Sequence, residues 1–305
     1  MIYFLRRNLE RFIYSEAAGR LLTGAAASLV IVFLAAIVSF IAWRGTATFL
    51  VNGYPLKEFL FSTQWQPDRP PELGGPSVGV LAFIVGSVAV STGAVLLGAP
   101  LALACAVFMV EVAPRYLRHV LQPVLEMLAG IPSVVYGYLG LTLVVPFIRQ
   151  HLGGLGFSVL AGIFVLSVMI LPTVVSIAGD SLRALPSELK EAAYALGSTR
   201  WQAVSLVLLP AARPGILTGV ILGLARAFGE ALAVQMVIGN TRKIPASILD
   251  PVTTITSAIT MDMGNTPSGT LWNNALWSMG LLLLVISLFF ILLIRWVGRR
   301  ERAVR

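Results

Sequence analysis

The sequence predicts an all-α polytopic membrane protein with six transmembrane helices. Of its 305 residues, 57% are hydrophobic and only 12% are charged. Mean hydropathy is +0.86, and uncharged runs recur at lengths that cross a bilayer. A soluble domain carries about 25% charged residues, so half of the usual polar surface is missing and lipid must cover much of the exterior. Roughly 20 apolar residues span the hydrocarbon layer. Runs of that length occupy 21–43, 78–110, 127–148, 152–179 and 271–294, and 214–240 is apolar except for Arg226 and Glu230.

Residues 1–20 mix Phe4, Leu5, Leu9, Phe12 and Ile13 with Arg6, Arg7, Glu10 and Arg11, the pattern of an amphipathic helix at the cytoplasmic interface. The first span, 21–43, follows this basic segment as a secretory signal would. Its apolar core exceeds the ~7–15 residues of a signal, and no small-residue cleavage pattern follows at Trp43 and Arg44, so it reads as a retained helix. Residues 44–77 form an external loop holding Trp65, Pro67, Pro70, Pro71, Gly74, Gly75 and Pro76. The core of five further spans covers 78–298, with a cytoplasmic loop at 180–213, and 299–305 is a basic cytoplasmic tail.

The second run is longer than one crossing and contains Pro100. It reads as a kinked helix projecting beyond the bilayer. Two re-entrant pieces would need turn residues that 95–101 barely supply. A second external loop, 241–270, places Thr253, Thr254, Thr256 and Ser257 in an apolar background. Loops of this size dock a delivery protein or serve as plain connectors.

Lysine and arginine asymmetry orients the chain. A cytoplasmic N-terminus puts fifteen of the basic residues considered inside and six outside, with both termini cytoplasmic. The same bias accounts for the net charge of +8 without nucleic acid. The single cysteine, Cys105, excludes an intrachain disulfide and reads as a small core residue.

The loop at 180–213 is charged and helix-prone. Pro186, Ser187 and Glu188 mark a helix start. Glu191-Ala192-Ala193 makes a slim face, Gly197 suits a left-handed helix end, and Thr199 caps a second short helix that begins at Arg200 and carries Trp201 and Val204. Leu208-Leu209-Pro210 closes the segment. A helix–glycine–helix knob outside the membrane is a handle for a cytoplasmic partner. An ordinary amphipathic surface helix accounts for Glu191-Ala192-Ala193 alone, but not for the whole spaced pattern.

This pattern resembles the EAA loop of binding-protein-dependent ABC importer permeases. The stretches 128–137, 169–173, 226–231 and 238–240 narrow the resemblance to the phosphate-uptake branch, and to its PstC-type subunit more than its PstA-type. It covers roughly residue 75 to the C-terminus, with Phe228 and Tyr138 as minor departures. It implies a MetI-like permease fold in the cell (plasma or inner) membrane. It also implies a PstA-like second permease subunit as heterodimer, two copies of a cytoplasmic PstB-like ATPase that sit on the EAA loop, and an external PstS-like phosphate-binding protein. No cofactor is expected on this chain; ATP-Mg belongs to the partner ATPase.

The fifth span gives an independent reading. Gly215, Gly219 and Gly223 repeat every four residues with Ala227 next, which makes a smooth face for close helix packing. Arg226 and Glu230 fall within the same arc at i, i+4 spacing, where they can pair and face the bundle. A charge at mid-membrane costs about 2.5–3.5 kcal/mol on insertion scales, so a purely structural pair competes with a functional one. On the functional reading Arg226 meets an oxyanion with its fork of donors, and Glu230 holds the guanidinium while the site is empty. Ser133 and Tyr136, beside Pro132 and Gly137, are further pathway candidates, since broken helices offer backbone groups to substrate.

Residues 75–79 match a nucleophile-elbow pattern, but they open a membrane helix and the chain has two histidines, so no triad forms. Neither an H-E-x-x-H nor a phosphate-binding P-loop occurs. No catalytic or metal site is expected on this chain. An anion-selective alternative is a molybdate or sulfate permease; a mechanistic alternative is an ion-coupled carrier, against which stand the single charged span and the absence of repeats.

Overall fold

Small residues set how closely the helices of this chain approach. The structure, a computed structural model, describes residues 16–303; most of the expected amphipathic segment, residues 1–15, and the last two residues of the basic tail lie outside them. Helix α1 (Glu16–Leu50) and the last helix, which packs antiparallel to it, form one pair. The connection after α1 holds α2 (Leu56–Phe61) and two two-residue strands, β1 (Trp65–Gln66) and β2 (Ser77–Val78), antiparallel with Trp65 opposite Val78. We call the end of the bundle that carries this connection the upper end.

Helix α3 (Leu81–Val107) runs from the upper end and continues through a π turn, Phe108–Val112. The second run is thus one helix of 32 residues, about 48 Å long at ~1.5 Å per residue, and it exceeds the ~30 Å hydrocarbon layer. Pro100 sits inside it without breaking it.

The third expected span is not a single helix. Helix α4 (Arg115–Gly130) and the helical stretch Ser133–His151 meet at 97°. The latter consists of α5 (Ser133–Leu139), a π turn (Gly140–Val144) and α6 (Val145–His151). Pro132 is the cause: its ring excludes the α conformation from the preceding residue, and Ile131 is extended at φ −66°, ψ 129°. Helix α4 buries no residue. Among the described residues five helices are long and apolar enough to cross a membrane, or six if this bent pair counts as one span.

Helix α7 (Val159–Arg183) lies at the centre against α3. Ser158 caps it by accepting from Ala161 N–H, and the carbonyls of Asp250 and Ile248 receive the amides of Val159 and Leu160. At the lower end follow α8 (Ser187–Ala195) and α9 (Arg200–Gln202), the latter leading through a π turn into α10 (Leu209–Gly229). The expected glycine face of α10 is present. A methyl group on Gly219 would lie 3.3 Å from Ile177, and one on Gly223 would lie 2.9 Å from Val174.

The fifth span departs from expectation. The helix stops at Gly229, Glu230 is extended, and α11 (Leu232–Gln235) is one short turn. An irregular segment then crosses the core, with Gly239 bridging Val252, before α12 (Ile255–Asp262) and α13 (Leu271–Ala303). The 241–270 connection is therefore not wholly a surface loop: Thr253, Thr254, Thr256 and Ser257 are buried. Thr254 caps α12 by accepting from Ser257 N–H and Thr256 donates to the Glu230 carbonyl, so the ended helix and α12 are bonded together, while Thr253 Oγ1 is buried without a partner among the described residues.

By contrast, residues 21–38 of α1 leave their large apolar side chains exposed, as a lipid-facing helix does. Replacing Gly223 by leucine overpacks the α7–α10 contact, with an expected loss of about 1–3 kcal/mol. A lower midpoint in detergent thermal unfolding by fluorescence-detected chromatography checks it.

Candidate functional site

Helices α7 and α10 run antiparallel, which sets Arg226 beside Thr173. The guanidinium Nη1 donates to Thr173 Oγ1 at 3.0 Å, close to the middle of the 25-residue α7. The Tyr136 hydroxyl lies within electrostatic reach of the same guanidinium. Arg226 is half-buried and makes no ion pair among the described residues. Four of its five N–H groups are left for another acceptor.

The expected Arg226–Glu230 pair does not form. Because α10 ends at Gly229, Glu230 no longer follows Arg226 by one helical turn. Its Oε1 instead accepts from Ala233 N–H at 3.2 Å, capping α11, and its carbonyl accepts from Thr256 Oγ1 at 2.8 Å. Glu230 thus ties α10, α11 and α12 together, and Thr173 is what holds the guanidinium.

Tyr136 spans the other break. Its hydroxyl donates to the Leu128 carbonyl at 2.6 Å, pinning α5 to the last turn of α4. The two breaks touch: a methyl group on Gly137 would lie 2.8 Å from Met236 Sδ and 2.9 Å from Ala233 Cα. Ser133 opens α5 half-buried, and no hydrogen bond joins it to Arg226.

The lower end carries the second candidate. Glu191 and Ala192 are exposed, and Ala193 is buried. Gly197 has φ +80°, which an L side chain adopts only with strain, and its amide and that of Ser198 close on the carbonyls of Tyr194 and Ala193. Thr199 caps α9 in a reciprocal box with Gln202. Leu196 and Trp201 stand 89% and 67% exposed at the tip of this knob.

One carboxylate bolts the knob to the bundle. Glu111, in the π turn that ends α3, is nearly buried; its Oε2 lies 2.5 Å from Lys190 Nζ, and its backbone carbonyl accepts from Arg200 Nη2. Glu111, Thr173 and Thr256 are the residues that sequence reasoning missed. Glu111 had a signal, a lone acid at the end of an apolar run; Thr173 and Thr256 lie in stretches the sequence singles out, but nothing there gives their partners.

Residues 94–303 match the family described as binding-protein-dependent transport system inner membrane component. The chain is 53% identical, over 94% of its length and 92% of the other, to the probable ABC transporter permease protein YqgH of Bacillus subtilis. It is 36% identical, over 96% and 92%, to the phosphate transport system permease protein PstC of Mesorhizobium japonicum. A probable PstC of Methanocaldococcus jannaschii is 33% identical over 69% and 72%. Its fold is similar to a chain of the bacterial alginate ABC transporter, with a TM-score of 0.65 at 17% identity over 92% of this chain and 95% of that one. For the MetNI methionine ABC transporter the TM-score is 0.54 at 21% identity, over 74% and 96%.

Removing Lys190 leaves the Glu111 carboxylate nearly buried without its partner, a loss of about 1–3 kcal/mol. In detergent unfolding, Lys190→Met is expected to be less stable than the double variant Glu111→Gln, Lys190→Met. Equal losses in the two would show that the stranded carboxylate carries no penalty.

Proposed function

The chain belongs to the family of binding-protein-dependent transport system inner membrane components, and from that premise we propose that it is the transmembrane permease subunit of an ATP-driven importer of inorganic phosphate. Relatives named PstC over most of its length support the substrate. The observation that carries the reading is Arg226, a half-buried cation near mid-bundle whose one bond goes to a neutral hydroxyl. An arginine fork with free donors suits a tetrahedral oxyanion. A neutral holder leaves the charge available and lets the anion depart when the bundle rearranges.

The bundle gives half a pathway. A PstA-like second subunit completes it, an external PstS-like protein delivers phosphate to the upper end, and two PstB-like ATPases bind ATP-Mg at the lower end. The exposed tip at Leu196 and Trp201 is the surface an ATPase covers. Both termini then lie in the cytoplasm. Alternating access follows as the knob moves: Lys190 and Arg200 carry displacement to α3 through Glu111, and α10 carries it toward Arg226.

In proteoliposomes holding all the partners, phosphate is expected to accumulate only with ATP inside the ATPase compartment. Proton-driven uptake by the isolated chain would overturn the reading. Arg226→Ala forfeits charged hydrogen bonds of about 1.5–3 kcal/mol, so uptake falls roughly 10- to 150-fold, with Arg226→Lys intermediate because it keeps charge and loses the fork. Gly197→Val strains the knob; phosphate-stimulated ATP hydrolysis is expected to collapse while the complex still carries Arg226 intact.

A further inference from the structure

At the upper end a cleft of ≈ 600 Å³ opens between the 63–69 segment and residues 242–244. Three cations line it, Arg69, Arg242 and Lys243, together with the neutral donors of Thr63, Gln64 and Gln66. Arg242 is fixed: its Nη2 donates to both oxygens of Asp262, at 3.3 and 3.2 Å. Trp65 Nε1 holds the same carboxylate at 3.3 Å, and both Trp65 and Asp262 are buried. That wall is rigid, and Asp262 neutralises one of the three charges. Neither Arg69 nor Lys243 has an ion-pair or side-chain hydrogen-bond partner among the described residues, so the cleft keeps an excess positive charge.

Unpaired cations at a convex surface are ordinary. Inside a concave wall they focus the field and raise the local anion concentration. Among the described residues the side-chain donors of Thr63, Gln64 and Gln66 have no acceptor. Arg226 is not among its lining residues, so the cleft is separate from the mid-bundle site.

We propose that this cleft is an outer oxyanion-binding site, which takes inorganic phosphate before it reaches Arg226. The identity of the anion and the outward placement of the cleft rest on the phosphate-import reading. A small anion suits the cleft, because Arg242 is held fixed by a buried carboxylate and Arg69 and Lys243 beside it keep their donors unpaired among the described residues.

The test is equilibrium dialysis of radiolabelled phosphate with the full chain in neutral-lipid nanodiscs. Arg226→Gln removes the mid-bundle site in every sample, and Arg69→Gln with Lys243→Gln is added to half of them. Elution profile and tryptophan emission confirm folding. Arg226→Gln alone is expected to bind phosphate, and the added pair to weaken that binding by about tenfold or more, the loss of one to two charged contacts; raising salt weakens the former as well. Unchanged binding in the triple variant, or no binding of phosphate, sulfate or molybdate in Arg226→Gln, overturns the proposal. A pair that leaves phosphate binding intact and weakens only the association with the loaded external binding protein also overturns it, making the cleft a docking surface. Sulfate and molybdate run in parallel: a cleft that takes either and rejects phosphate upholds the anion site and fails the phosphate reading.

Discussion

In lipid every backbone N–H and C=O must find its partner inside the protein, and this chain interrupts its helices twice within the bundle. The interruptions, at Ile131–Pro132 and at Glu230, are tolerable only because side chains take up the freed groups. Tyr136 reaches back to the Leu128 carbonyl. Glu230 caps the Ala233 amide, and Thr256 covers the Glu230 carbonyl. These bonds bring α5 and α11 into contact through Gly137. They leave Arg226 at the last turn of α10, where a helix C-terminus accommodates a cation well. The polar site exists because the helices break there and the breaks are satisfied locally.

The same economy explains how a distant partner can act on that site. Residues Arg200–Gly229 form one uninterrupted helical stretch of 30 residues, about 45 Å at ~1.5 Å per residue. The knob's second half is its first turn, and Arg226 lies near its other end. Glu111 attaches the knob to α3 as well, so two long helices receive any displacement together. The π turns at Phe108–Val112 and Ala203–Leu208 fall on both of these routes close to the knob.

Much of this was legible in the sequence. The apolar runs, the small-residue face of α10, the left-handed Gly197 and the Thr199 cap follow from period, φ preference and capping chemistry, all local rules. The second run as one helix followed from the lack of turn residues. The 97° bend has a local cause, Pro132 acting on Ile131, that the uncharged run 127–148 hides. The other failures were non-local. Glu230 as a break needed Thr256, 26 positions later, to receive it. An i, i+4 spacing predicts an ion pair only while the helix continues, and the extended Glu230 ends it. Thr173 and Glu111 acquire their roles from partners 53 and 79 residues away, beyond any periodic pattern.

Thiol accessibility at Thr173 tests the central claim, that the Arg226–Thr173 contact lies on the route of the transported anion. The native cysteine, Cys105, is replaced by serine, Thr173 by cysteine, and the assembled transporter is treated with a small membrane-impermeant thiol reagent with and without phosphate. The account predicts labelling that phosphate blocks, and a change in the side from which the reagent enters when the ATPase is trapped with nucleotide. A thiol that no reagent reaches from either side in any state, or whose labelling phosphate does not alter, would contradict it.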